Sequence, residues 1–404
     1  MKQPLFRKDH SVHPFGNYRL TVTAPSLRSS LLLGLSLSLN LLFIACPDNY
    51  PPPVADCDPG WHPCETDSTE CCLDTTSHNF VWEIDTLGDY GSYLNDVAII
   101  DENDVWVVGY IKVGDSTYNA AQWDGSEWEL MVIKVAPYFA FAQITSINAF
   151  LENDIWVGTN VPYYWNGTSW KGYFPEDGWE NGWNFDGYIQ GIWGTSSSDI
   201  YFVGGNGSIV HYDGSGFEKM ESRTEAPIIN IWGLDKEHVW AVAYTNSPTI
   251  KNKVLFYDGD MWSFIYEDRV TDNWPPEDYT RPSGSFLSTW AYGDTFYLGC
   301  ASVWKQSINE ESGILIPLED ISWQLGWGIA HIRGNNSNDI FVTTYFGSEV
   351  SHFNGAGWKF FDNLKSLDPD GINTTASIGV KGDIVVLVGE NLSTGRAIVY
   401  RGYR

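Results

Sequence analysis

Basic residues are scarce in this chain. Lys and Arg number 23 against 51 Asp and Glu, a formal net charge of −28 over 404 residues. Phosphate backbones attract clustered cations, so this balance argues against DNA or RNA as a partner. Methionine occurs 4 times and charged residues make up 18%. Long helical and coiled-coil proteins carry far more of both. No segment sustains a helical period. The longest apolar run, LLLGLSLSLNLLFI (31–44), would rise about 21 Å as a helix, short of a bilayer core of roughly 30 Å. The 8 histidines include no cluster at metal-ligand spacing, so no metal site is expected. No Ser-His-Asp set can be assembled from sequence proximity, so no catalytic residue is named. What remains is rich in 20 Trp, 22 Tyr, 20 Phe and 39 Gly. Such aromatic content excludes disorder. Aromatics with Gly and Asp indicate short strands joined by tight turns.

The first 45 residues read as a secretion signal. Lys2, Arg7, Lys8, Arg19 and Arg28 precede the apolar run, with Asp9 as the one acid. A basic region before a short apolar core is the signature of an exported chain. The segment Phe43-Ile44-Ala45-Cys46 resembles a bacterial lipobox, and that resemblance implies lipidation at Cys46 and membrane attachment through the lipid. Several acyl chains would anchor stably where one is marginal. Removing residues 1–45 leaves 18 basic and 50 acidic side chains, a net charge of −32. The expected location is the cell envelope, outside the cytoplasm.

Cys57, Cys64, Cys71 and Cys72 fall within DCDPGWHPCETDSTECC. An exported chain meets oxidising conditions, so these four are expected to form two disulfides in one of three pairings. A zinc site is the rival, weakened by ligand spacing. Cys300 sits in an apolar stretch and reads as a buried thiol. Pro47, Pro51, Pro52 and Pro53 stiffen the start of this segment. Residues 46–79 are thus read as a Cys-rich stalk.

From residue 80 the chain repeats. LNDVAIIDENDVWVVGY (94–110), ITSINAFLENDIWVGTN (144–160), IQGIWGTSSSDIYFVGG (189–205) and IINIWGLDKEHVWAVAY (228–244) align, and looser copies begin at 286, 327 and 375. The turn positions Asp104, Asp154, Asp199, His238, Asp294, Asp339 and Asp383 recur at intervals of 39 to 56 residues. A second signature follows in QWDGSEW (122–128), YWNGTSW (164–170), HYDGSGF (211–217), FYDGDMW (256–262) and HFNGAGW (352–358). Asp-Gly or Asn-Gly between apolar runs marks a hairpin, because the turn needs positive φ. One unit is therefore four strands, the make-up of a propeller blade. Residues 80–404 predict one all-β, seven-bladed β-propeller. The seventh unit ends at AIVYRGYR (397–404) without a fourth strand, and FVWEIDT (80–86) stands before the first. The N-terminal strand is expected to complete the last blade and remove an exposed edge.

The pattern IWGTSSSDIYFVGGNGSIVHYDGSGF (192–217) resembles repeats of secreted bacterial propeller proteins. That resemblance covers residues 80–404 and implies the fold rather than an activity. The repeats differ from Asp-box, Kelch and WD repeats in turn sequence and spacing.

Repeated residues are read as structural. The first-turn Asp is expected to accept backbone N–H bonds. Trp128, Trp170, Trp262 and Trp358 are expected to pack between blades, as are Trp193, Trp232 and Trp290 near the axis. His211 and His352 hold equivalent places and read as structural too. Function is then expected where the chain does not repeat. Three long inter-blade loops, 171–188, 265–285 and 305–326, share one face with the shorter 131–143. They carry Trp179, Trp183, Phe185, Asp186, Asp272, Trp274, Asp278, Tyr279 and Trp323 as candidate ligand-binding residues. Exposed aromatics often mark binding surfaces. With carboxylates they suit sugar rings or, through cation–π contacts, a basic protein segment. The leading expectation is a non-enzymatic binding or scaffolding module for a glycan or a protein. Alternatives are a carbohydrate-active hydrolase or lyase using Asp186 and Asp278, and a purely structural surface component. No cofactor is expected; calcium at LDPDGIN (367–373) is the weak exception, since later ligands are missing.

Overall fold

The computed structural model describes residues 61–63, 71–73, 75–134, 141–174, 185–247, 251–268, 282, 285–309, 316–319, 328–344, 349–361, 364–367 and 373–404. The chain divides into Met1–Pro51, outside the described residues, and Pro52–Arg404. Within the second unit stand seven four-stranded antiparallel sheets and one two-stranded sheet. The two-stranded sheet pairs Trp61–Pro63 with Cys71–Leu73. Cys46, Cys57 and Cys64 lie outside the described residues. No described helix is long and apolar enough to cross a membrane.

The seven sheets are the blades of a β-propeller. Their first strands are Tyr93–Asp101, Ser146–Leu151, Ile189–Ser196, Ile228–Asp235, Ser288–Tyr292, Ile329–Asn336 and Asn373–Lys381, defining blades 1 to 7. Each first strand packs against the next, and that of blade 7 packs against blade 1. The ring closes as the sequence predicts. Strand Val81–Leu87 pairs with Arg396–Tyr403 from Val81↔Tyr403 to Leu87↔Ala397, giving blade 7 its outer strand. Arg401 locks this seam. Its Nε donates to Asp85 at 2.7 Å, and its guanidinium lies 3.7 Å from the Trp123 ring of blade 1. Trp128 Nε1 of blade 1 donates to the same Asp85 at 3.0 Å.

The approach to the seam is docked before it becomes a strand. Thr76 Oγ1 donates to the Asn338 carbonyl at 2.6 Å, and His78 Nδ1 meets His352 Nδ1 at 2.8 Å. Both partners belong to blade 6, so the chain reaches blade 7 by way of its neighbour.

The repeated tryptophans pack between blades. Trp262 of blade 4 donates to Met220 Sδ of blade 3 at 3.4 Å, and Trp170 of blade 2 meets the Trp106 ring of blade 1 at 6.5 Å. The Asp/Asn-Gly turns take the expected form. Gly125, Gly167, Gly214, Gly259 and Gly355 have φ between 86° and 93°. In each turn the preceding Asp or Asn accepts two backbone N–H bonds, as Asp213 does from Ser215 and Gly216.

The first-turn aspartates require a correction. The backbone N–H bonds there go to residues three positions earlier, Asp101, Ser196, Asp235 and Asn336. Asp104, Asp199 and Asp339 begin the second strand and accept from the third: Gln122 at 2.8 Å, His211 at 2.6 Å and His352 at 2.8 Å. They clamp strand to strand rather than shape the turn. Asp339 is the most elaborate case. Arg404 adds a bidentate pair at 3.1 and 2.8 Å, and Asn335 donates at 2.8 Å. Burial alone would raise the Asp339 carboxyl, yet these donors hold it at about 2.

Candidate functional site

Two places could carry function: the loop-bearing face and the axis of the ring. The face is formed by connections from each fourth strand to the next blade and by those between second and third strands. Of the sequence-predicted residues, Trp179, Trp183, Asp272, Trp274, Asp278, Tyr279 and Trp323 lie outside the described residues. So do residues 368–372 of the calcium candidate. Phe185 and Asp186 are described and fall on this face, just before blade 3. Phe185 is half-buried and rests on Gly204, where an added Cβ would lie 2.8 Å from its ring. Asp186 is exposed, with Lys219 Nζ at 3.5 Å. Its backbone N–H donates to Ser208 Oγ at 3.2 Å.

The loop bounds change most in blade 5; those at 171 and 265 move to the ends of strands Trp170–Gly172 and Trp262–Asp268. Residues 305–326 do not form a single inter-blade loop. Val303–Ser307 and Ile316–Glu319 are the third and fourth strands of blade 5, so these residues belong to the blade itself. Blade 5 lacks the Asp/Asn-Gly signature, which is why its outer hairpin was not legible.

Sequence reasoning did not single out Tyr90, Tyr93, Tyr110 or Tyr188. Tyr90 is 78% exposed and Tyr188 55% exposed. Tyr93 stacks on Tyr110 at 5.8 Å, and Tyr110 meets Phe141 edge-on at 5.7 Å. Burial, then Tyr110, Glu390 and Tyr188, pushes the Tyr93 phenol upward. Tyr90 and Tyr93 stand at the start of blade 1, Tyr188 at the start of blade 3, Tyr110 in the second strand of blade 1, Phe141 ahead of blade 2 and Glu390 near the end of a blade 7 strand.

The axis shows two rings of equivalent positions. Opposite Val108, Gly158, Val203, Val242, Gly299, Thr343 and Val388 stand Asp96, Ser146, Gly191, Asn230, Ser288, His331 and Ser377. This ring stitches blade to blade. Ile147 N–H donates to Asp96 at 2.9 Å, Thr289 N–H to Asn230 at 2.9 Å, and Ile332 N–H to Ser288 at 3.2 Å. Ser377 Oγ reaches back to Asp96 at 2.7 Å. Burial raises the Asp96 carboxyl, and the hydrogen bonds from Ser377, Ile147 and Val97 with the charge of Arg333 oppose the rise. His331 Nε2 lies 3.3 Å from the Thr375 carbonyl. Burial, with the charge of Arg333, pulls its imidazole down to about 4, so it is neutral at pH 7.

The second ring lies two residues along: Ala98, Asn148, Trp193, Trp232, Trp290, Arg333 and Gly379. On blades 3 to 5 the position is Trp, and each indole has a seat on the next blade. A Cβ at Gly233 would lie 2.5 Å from Trp193, and one at Gly334 would lie 2.9 Å from Trp290. Trp232 Nε1 donates to the Ala291 carbonyl at 3.3 Å. On the other blades the position is small or polar. A cavity of about 220 Å³ results, with first-strand residues of blades 1 to 4, 6 and 7 in its wall. No group of three His, Cys, Asp or Glu among the described residues could hold a metal ion.

No protein-family model matches this chain, and no curated protein is detectably similar to it in sequence. Its shape is shared by solved structures. YCF48 bound to a D1 peptide is 15% identical with a TM-score of 0.56, over 80% of this chain and 95% of that one. A catalytically inactive virginiamycin B lyase from Staphylococcus aureus with quinupristin is 11% identical with a TM-score of 0.55, over 80% and 99%. The WD40 repeats of RRP9 are 9% identical with a TM-score of 0.53, over 79% and 97%. At such identities the likeness shows the β-propeller fold and carries no activity across.

Proposed function

We propose that this protein is a binding or scaffolding module rather than an enzyme. It holds a glycan or a protein on its loop-bearing face and is displayed at the cell envelope through a lipid on Cys46. The observation that carries this reading is the pair of exposed tyrosines, Tyr90 and Tyr188, on the face where exposed Asp186 also stands. Exposed aromatic groups of this kind favour stacking on sugar rings or on cationic side chains. Support of a general kind comes from YCF48, a propeller solved with a peptide bound.

The test is a glycan array combined with cross-linking to purified candidate partners, using the chain from Cys46 onward. Trp179→Ala, Trp183→Ala and Trp274→Ala should abolish binding, whereas Asp186→Asn, Asp272→Asn and Asp278→Asn should retain it. The reverse pattern, turnover lost with binding retained, would establish the carbohydrate-active enzyme instead. No ligand on either platform, with every variant unchanged, would leave a structural surface component. Labelling with a palmitate analogue checks the anchor: Cys46→Ser should abolish incorporation.

A further inference from the structure

Arg333 occupies the position that Trp fills in blades 3 to 5. A guanidinium here is costly unless its charge is answered, because a buried ion loses its hydration. Its setting fixes the group firmly. The guanidinium stacks on the Trp232 ring at 4.6 Å. Nη1 donates to the Ile332 and Thr289 carbonyls at 2.7 and 2.9 Å and lies 3.4 Å from Ser288 Oγ. Nε and Nη2 make no hydrogen bond among the described residues. Desolvation lowers Arg333 to about 10, which still leaves it charged at pH 7. Asp96 attracts it from beyond ion-pair distance and gives its own oxygens to Ser377, Val97 and Ile147.

A second unanswered donor lines the same cavity. Asn148 Nδ2 is shut off from solvent and has no partner. A buried amide left unpaired keeps its desolvation penalty. Lys381 stands at the edge of the cavity, exposed, and adds a second cation. Ile99 and Ile378 supply apolar wall. The axis of a strongly acidic protein thus offers two cations and an unpaired amide donor beside apolar surface, while the Asp96 carboxylate in the same wall is engaged by Ser377, Val97 and Ile147.

We propose that the axial cavity binds a small organic carboxylate, with its oxygens on Arg333 and Asn148 and its apolar part against the isoleucines. Planar guanidinium and planar carboxylate match, and the charge assists each hydrogen bond. The volume agrees: a dry cavity of roughly 150 Å³ takes benzene, so about 220 Å³ takes one ring and a carboxylate. This site is separate from the loop face and stands or falls without it.

The probe is benzoate, with benzamide as its uncharged counterpart, titrated into the folded chain by calorimetry at pH 7 and low salt. Benzoate should saturate one site, and benzamide should bind at least about tenfold more weakly. Arg333→Gln should remove that discrimination. Asn148→Leu, which leaves the seam and the tryptophan seats untouched, should weaken benzoate severalfold even if Arg333→Gln fails to fold. Trp179→Ala and Trp183→Ala should leave benzoate binding as it is. Equal binding of benzoate and benzamide would overturn the proposal. So would benzoate left unbound at about 10 mM, or unchanged affinity in Asn148→Leu.

Discussion

The two halves of the propeller axis solve one packing problem differently. In blades 3 to 5 a tryptophan from each first strand leans onto the next blade, where Gly233, Ala291 or Gly334 receives it. In blades 6, 7, 1 and 2 the same register holds Arg333, Gly379, Ala98 and Asn148. The first half is filled by apolar area and gains dispersion contacts throughout. The second has no such tryptophan, is held at this level by polar stitching through Asp96 and Ser377, and keeps open space. It also contains the blade assembled from both ends of the propeller. A closed fold therefore needs its inner ring packed on one side only, and the other side is available for chemistry.

The comparison can be broken most severely at the seam. Deleting residues 80–87 removes the outer strand of blade 7, with the buried Trp82 and Leu87 and both acids that hold Arg401. We expect thermal melting to fall by more than about 10 °C; an unchanged midpoint would show that closure contributes nothing. Next is the filled half. Trp290 is buried and seated on Gly334, so Trp290→Ala should cost about 3–5 kcal/mol in denaturant unfolding.

Paired glycine substitutions sharpen the contrast further. At Gly334 a Cβ would lie 2.4 Å from the Asp339 carbonyl and 2.9 Å from Trp290, so Gly334→Ala should cost about 1–3 kcal/mol. At Gly379 the nearest atom is the Ile99 Cδ1 tip at 3.0 Å, which can yield, so Gly379→Ala should cost under about 1 kcal/mol. Equal costs would mean that the two halves are packed alike. Acid should then expose the polar half. The His331 imidazole, held at about 4, binds its proton more weakly folded than unfolded. Its contribution is present above pH 6.5 and is lost as pH falls from about 6.5 towards about 4. Histidine NMR titration reads the value directly, and stability of His331→Gln should lose slope in that window. The smallest effect is expected for Asn148→Leu. Removing an unpartnered amide should leave stability within about 1 kcal/mol of the parent.

Much of the fold was legible because its signals are local. The Gly in each Asp/Asn-Gly turn needs positive φ wherever it occurs, so five hairpins could be placed from short words of sequence. Ring closure was legible because a strand was missing at one end and spare at the other. The role of Asp104, Asp199 and Asp339 was misread because their partners lie on the third strand, outside the turn. The outer hairpin of blade 5 was not legible because 308–315 contains no Asp-Gly or Asn-Gly, the word that marks the other hairpins. Tyr90 and Tyr188 went unnoticed because exposure is a property of the packed ring.

The sequence by itself determined the repeat, the blade count, the closing strand and the structural duty of the blade-packing tryptophans. Each follows from backbone conformation or from apolar periodicity, which act over a few residues. Only the tertiary structure decided what the axis contains. Asp96 and Ser377 are 281 positions apart yet hydrogen-bonded, and Arg333 reaches Trp232 from two blades away. Ring closure brings these side chains together around a desolvated space, and their charge and hydrogen bonding acquire chemical meaning only there.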